Sequence, residues 1–303
     1  MLHFIFLMSR KNLLMWDFNF QNCHINPIVC YILIFSSISK LFLRYWDAAR
    51  CFFMIFYLTL QLEFILNKEN MYNNDYNYSP QRFNILPPVC KNLLIINFIL
   101  FLLTFVLKSR GIDLNSAFGL HYFGASKFRI WQLLTYSCFH GSFSHLFFNM
   151  FAIWMFGYTV ENLWGSKRFL LYCVITALGA ALMQELTYFL MNKDLILGNY
   201  TSVNLNDIAI ISKDTYLNRL NTIGASGICF GVLLAFGMMF PNDYIYLYFL
   251  VPIKCKWFVI GYCTIELFNG VFATSDGVAH FAHLGGALAG LFLVLLWKKK
   301  SRI

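Results

Sequence analysis

The sequence predicts an all-α, polytopic membrane protein, and three observations carry that prediction. Of its 303 residues, 59% are apolar and only 12% are charged, about half the ~25% charge of an ordinary water-facing domain. Mean hydropathy is +0.60. The apolar residues gather in long runs separated by short polar stretches, the pattern of repeated α-helical crossings. A soluble globular protein is all but excluded. The formal charge of +9, from 23 Lys+Arg against 14 Asp+Glu, sits in the flanks between runs, as membrane topology requires. No basic stripe interleaves with aromatics, so nucleic acid is not an expected partner. The nine cysteines are scattered without a CxxC. They form neither a metal nor a disulfide framework, and neither a metal nor another cofactor is expected.

Residues 1–84 read as an N-terminal extension. Its apolar runs, 28–39 and 51–66, are interrupted by Lys40, Arg44, Asp47 and Arg50, and neither reaches the ~20 residues of a clean crossing. The polar stretch 71–82 begins with Met71 and has the character of a cytoplasmic N-terminus, so Met71 is a candidate start. The other reading is an extra anchor or hairpin.

Residues 85–303 read as one membrane domain of six spans. The first is 93–107, interrupted by Asn97 and Thr104. Segment 109–139 has too many polar positions to span, and its aromatics, Trp131 among them, suit the headgroup level. Spans two and three are 145–160 and 169–190, followed by a polar loop over 192–221. Span four, 223–240, ends at the turn signal Pro241-Asn242-Asp243. Span five centres on 257–267 and is entered through an amphipathic 244–256. Span six, 278–297, closes on Lys298-Lys299-Lys300. Six spans leave both ends of the domain on one side, and the flanking Lys91, Lys167, Arg168, Lys254, Lys256 and terminal lysines assign that side to the interior.

Polar groups at membrane depth are costly and mark function by default. His140 and His145 bracket the start of span two, with Asn149 one turn below His145. Ser226 lies in Gly224-Ala225-Ser226-Gly227 at the start of span four, and His280 and His283 at the start of span six. Spans two, four and six run in the same direction, so these groups share one shallow level. Gly286 and Gly290 form a GxxxG that lets helix backbones approach closely, bringing span six, and His283, to Ser226. A neutral histidine can take the proton a serine must lose to become a nucleophile. His145, Asn149 and the Ser226 N–H can then donate to an oxyanion. Phe230, one turn below Ser226, can hold the His283 ring by packing. His280 reads as structural support, Glu161 as a tie for the loop after it, and Glu266 as a residue near the outer interface. Each motif alone has a bland reading in helix packing; their shared depth does not.

The three motifs resemble those of the rhomboid family of intramembrane serine proteases. They are HGSFSHLFFN (140–149), GASG (224–227) and HLGGALAG (283–290), in the family's order and on its spans two, four and six. The similarity covers roughly residues 85–297. It implies a six-helix bundle with a Ser226–His283 dyad needing no third carboxylate, and His145 with Asn149 as oxyanion donors. His140, Gly224, Gly227, Phe230, Gly286 and Gly290 are then supporting positions. Two departures stand out: Trp131-Gln132 where Trp-Arg is common, and Phe230 where some members have Tyr. The resemblance further implies an endopeptidase acting on single-pass transmembrane proteins in the lipid bilayer. The dense Phe, Asn, Ile and Lys usage looks like that of an AT-rich genome, and the motif context (FGMMFPN, HFAHLGG) looks bacterial, so the expected location is a bacterial inner membrane. The alternatives are an inactive rhomboid-like protein that binds clients, and a His-lined transporter. The first would lack Ser or His, and the second would carry charges along a continuous path.

Overall fold

The computed structural model describes residues 84–205, 209–247, 251–272 and 278–299. The expectations for Met71 and the runs at 28–39 and 51–66 lie outside these residues. The described part is mostly helical. Three of its helices are long and apolar enough to cross a membrane: α1 (Pro88–Lys108), α6 (Ser166–Met191) and α11 (His280–Lys299).

Helix α1 begins at Pro88, where a missing N–H costs nothing. The next two N–H groups, of Val89 and Cys90, donate to the two carboxylate oxygens of Glu161, each at 2.8 Å. A buried carboxylate thereby caps the positive end of the helix. Asn97 and Thr104 are tolerated because each donates to the carbonyl four residues earlier. After α1 come the short helix α2 (Leu114–Phe118), strand β1 (Leu120–His121) and helix α3 (Gln132–Thr135), which runs into a 3₁₀ turn at Tyr136–Cys138. This is the segment expected at the headgroup level. Gln132, 1% exposed, holds it together: its Oε1 accepts from His121 and Arg129 N–H and its Nε2 donates to the Ala117 and Lys127 carbonyls. The departure from Trp-Arg is therefore met by an amide using both ends.

The second expected span is one continuous helical run in three parts: α4 (Phe143–Ala152), a π turn at Ile153–Gly157 and α5 (Tyr158–Trp164). Gly165, at φ 80°, breaks it from α6. The 192–221 loop is ordered into α7 (Lys193–Leu197), a β2–β3 hairpin (Ser202–Leu205, Ala209–Ser212; Ser202 opposite Ser212) and α8 (Lys213–Leu217). Asp214 and Asn218 fasten it to the earlier segment by accepting from the Ser126 and Lys127 N–H groups. Strand β4 (Asn221–Thr222) pairs antiparallel with β1 and delivers the chain to α9 (Ser226–Met239). The expected amphipathic entry at 244–256 is instead a β5–β6 hairpin (Tyr244–Leu247, Val251–Lys254), its alternation having the period of a strand. Helix α10 (Cys255–Val271) follows. Among the described residues, three two-stranded antiparallel sheets in the connections join the expected helices.

The core sits where α6, α9 and α11 meet over small residues. A Cβ on Gly286 would strike the Gly227 carbonyl oxygen of α9, and one on Gly179 would strike Ala289. Backbones this close gain dispersion contacts that lipid tails cannot match. Large apolar side chains such as Phe98, Phe105, Leu182, Leu186 and Phe292 point outward and are exposed, as a lipid-facing belt must be.

Candidate active site

Ser226 is the first residue of α9, preceded by Ala225 at the cap, and no side chain caps that helix start. The chain enters through Gly224, whose φ of 127° belongs to glycine. Its N–H donates to the Tyr136 carbonyl at 2.9 Å. A Cβ here would also lie 2.6 Å from the His145 ring, so the glycine is required both by its backbone angle and by the imidazole beside it.

On the α11 side, the Ser226 Oγ and His283 Nε2 are 2.7 Å apart. The Phe230 ring is stacked on His283 at 4.5 Å between centroids and 9° between planes, fixing the imidazole against α9. His283 Nδ1 is 2.8 Å from Glu266 Oε2, and His280 Nδ1 reaches the same oxygen at 2.8 Å. Glu266 is 5% exposed. It faces inward because Val259, Glu266 and Gly270 share the buried stripe of α10, and Gly270 brings that helix against Phe281 of α11. The expectation of a Glu266 near the outer interface did not include this burial or these two bonds. The signal for it was present in the sequence: an ionisable residue inside an otherwise apolar span. The neighbouring positions of Glu266, His280 and His283 place three ligand-type atoms within 4.8 Å of one another, a grouping that the two hydrogen bonds account for.

On the α4 side, Ser142 caps the helix by accepting from the His145 N–H. Asn149 Nδ2 is 3.0 Å from His140 Nε2, which also accepts from the Ala225 N–H at 3.4 Å. Both bonds require a lone pair on Nε2, so the His140 proton is on Nδ1. Burial, with His145 beside it, pushes the His140 ring down to about 3, keeping it neutral. His140 therefore ties Asn149 to the residue preceding Ser226. The Cys229 thiol, absent from the expected set, donates to the Asn149 carbonyl at 3.4 Å. His145 lies edge-on to His140, 4.9 Å between centroids. Gly227 contacts Ala180, Gly286 contacts Gly227, and Gly290 sits against the Tyr172 hydroxyl and 3.3 Å from Gly231 Cα if given a Cβ. The ten residues that the sequence names as the dyad, its oxyanion donors and their supporting positions thus lie in this one assembly or in the helix contacts directly beneath it.

A protein-family model describing the rhomboid domain matches residues 127–300, more than half of the chain. The chain belongs to the rhomboid family. Comparison with curated proteins found none that matches it. The rhomboid match contains every residue of the assembly just described, from His140 to Gly290, and ends with the terminal lysines of α11. It begins within the Gln132-organised segment, after β1, so β4 lies inside the match and β1 outside it. The family and the apolar helices make this an integral membrane protein.

Proposed function

We propose that this rhomboid is an intramembrane serine endopeptidase with Ser226 as nucleophile and His283 as general base. The observation that carries the reading is the 2.7 Å contact between Ser226 Oγ and His283 Nε2, within the reach a base needs to take a hydroxyl proton. Oγ attacks the scissile carbonyl carbon while its proton passes to Nε2. The resulting oxyanion is met by the uncapped Ser226 N–H, His145 and Asn149. The C–N bond then breaks, His283 returns the proton to the departing amine nitrogen, and water hydrolyses the acyl-enzyme by the same steps.

The substrates are single-pass transmembrane proteins. Their helices must unwind locally, since a helical amide is hydrogen-bonded within its own segment, and a small side chain at the cleaved position suits a site this crowded. The reading includes six spans with both ends of the 85–303 domain inside, and a bacterial inner membrane. The test is cleavage of a generic single-pass reporter by the full chain in liposomes, beside Ser226→Ala and His283→Ala. Cleavage by wild type alone is expected. Cleavage that survives in Ser226→Ala sinks the mechanism, and no cleavage of several reporters by folded wild type favours a client-binding role.

A further inference from the structure

The reading above asks nothing of Glu266, yet its carboxylate is buried where α10 packs on α11 and spends one oxygen on two imidazoles. We propose that Glu266 is a positioning residue for the proteolytic reaction, the third member of a Ser226–His283–Glu266 relay; the inference rests on the serine-protease reading of the same site.

A neutral imidazole carries its proton on either nitrogen, and only the Nδ1–H tautomer leaves Nε2 able to accept from a serine hydroxyl. An ionised carboxylate only accepts. With Glu266 Oε2 at 2.8 Å from His283 Nδ1, the proton of neutral His283 is held on Nδ1 and the Nε2 lone pair faces Ser226 Oγ. When the serine proton arrives, the imidazolium is stabilised by a negative charge already in place, so no solvent needs to reorganise. The same logic governs the carboxylate of soluble serine-protease triads. Phe230 fixes the plane of the ring, and Glu266 fixes its tautomer and its rotation within that plane.

His280 serves the carboxylate. An unpaired buried charge is expensive, and a single N–H donor leaves it under-satisfied. The second bond, from His280 Nδ1 at 2.8 Å, supplies the missing donor and pins the glutamate from α11, the helix that carries His283. Both histidines are thus referenced to one oxygen of α10. The other titratable groups around the relay are His145 on α4, Cys229 on α9, and Tyr262 and Cys263 beside Glu266 on α10. They are left untouched in the experiment.

That experiment compares wild type, Glu266→Gln and Glu266→Asp as full chains in liposomes, with Ser226→Ala and His283→Ala as controls. Glutamine keeps the shape but can donate its amide to Nδ1, which puts the histidine proton on the wrong nitrogen. We expect Glu266→Gln to lower kcat by about 10²–10⁴-fold, the range reached when triad carboxylates become amides, with KM within about threefold. Glu266→Asp should recover part of the rate. Labelling of Ser226 by a fluorophosphonate reads the same effect without a transmembrane substrate, and should slow in Glu266→Gln. A wild-type kcat in Glu266→Gln overturns the proposal. So does a lower rate accompanied by a raised KM and no rescue by aspartate, which is the signature of a merely structural role. Activity or labelling that persists in Ser226→Ala instead overturns the serine-protease reading beneath it.

Discussion

Asn149 does not float toward Ser226; it is held from three sides. His140 Nε2 takes one of its amide protons, the Cys229 thiol binds its carbonyl, and Gly224 leaves room for it beside the entering chain. A group restrained this well costs little to organise when charge develops nearby, which is the requirement for an oxyanion donor. Asn149→Ala is therefore expected to lower kcat by about 10²–10³-fold, as removal of one such donor does elsewhere. The drop is smaller where His145 compensates, and single-turnover cleavage in liposomes measures it. The polar residues themselves were readable from the sequence, because a His, Asn or Ser in an apolar run stands out at once. Their hydrogen-bond partners were not. That His140 serves Asn149, and that Cys229 backs it, depends on side-chain directions that spacing alone does not set.

The helices bring these residues together through what they lack. Gly227 and Gly286 let α9 and α11 touch backbone to backbone, and Gly231 and Gly290 continue the contact one turn below. Gly286→Val places its side chain where the Gly227 carbonyl oxygen lies. Overpacking of this kind costs about 1–3 kcal/mol, and here it also moves His283 away from Ser226. We expect both a lower Tm in detergent and loss of cleavage at temperatures where the variant remains folded. A Tm drop with full activity would show that the helices can part without parting the residues. The glycine pattern alone announces this contact. The hairpin at β5–β6 was hidden because Tyr alternates with aliphatic residues only over 244–248, and the apolar run after it cannot by periodicity separate a strand from a helix.

Among the described residues, two of the three buried glutamates perform opposite tasks at separate places. Glu266 gathers histidines, whereas Glu161 gathers backbone: it binds the first N–H groups of α1 and accepts from the Ser166 hydroxyl at the start of α6. It therefore fastens α5 to two other helices, which is more than the loop tie that the sequence alone suggested. Glu161→Gln removes the charge and one acceptor from a site 1% exposed. Since hydrogen bonds to buried charged groups contribute about 1.5–3 kcal/mol, we expect a lower unfolding midpoint with cleavage per folded molecule unchanged. An unchanged midpoint would mean that the helices hold their places without the carboxylate. Such long-range ties escape a linear reading, because Glu161 and Val89 are 72 positions apart.

The π turn at Ile153–Gly157 explains how one helical run can serve both ends. An ideal α-helix advances about 100° per residue, which would set Glu161 about 160° around the axis from His145. A π turn holds one residue more than an α turn, and discounting that residue reduces the angle to about 60°. The imidazole at one end and the carboxylate at the other can then both face inward. A helical wheel drawn straight through the segment would send one of them into the lipid.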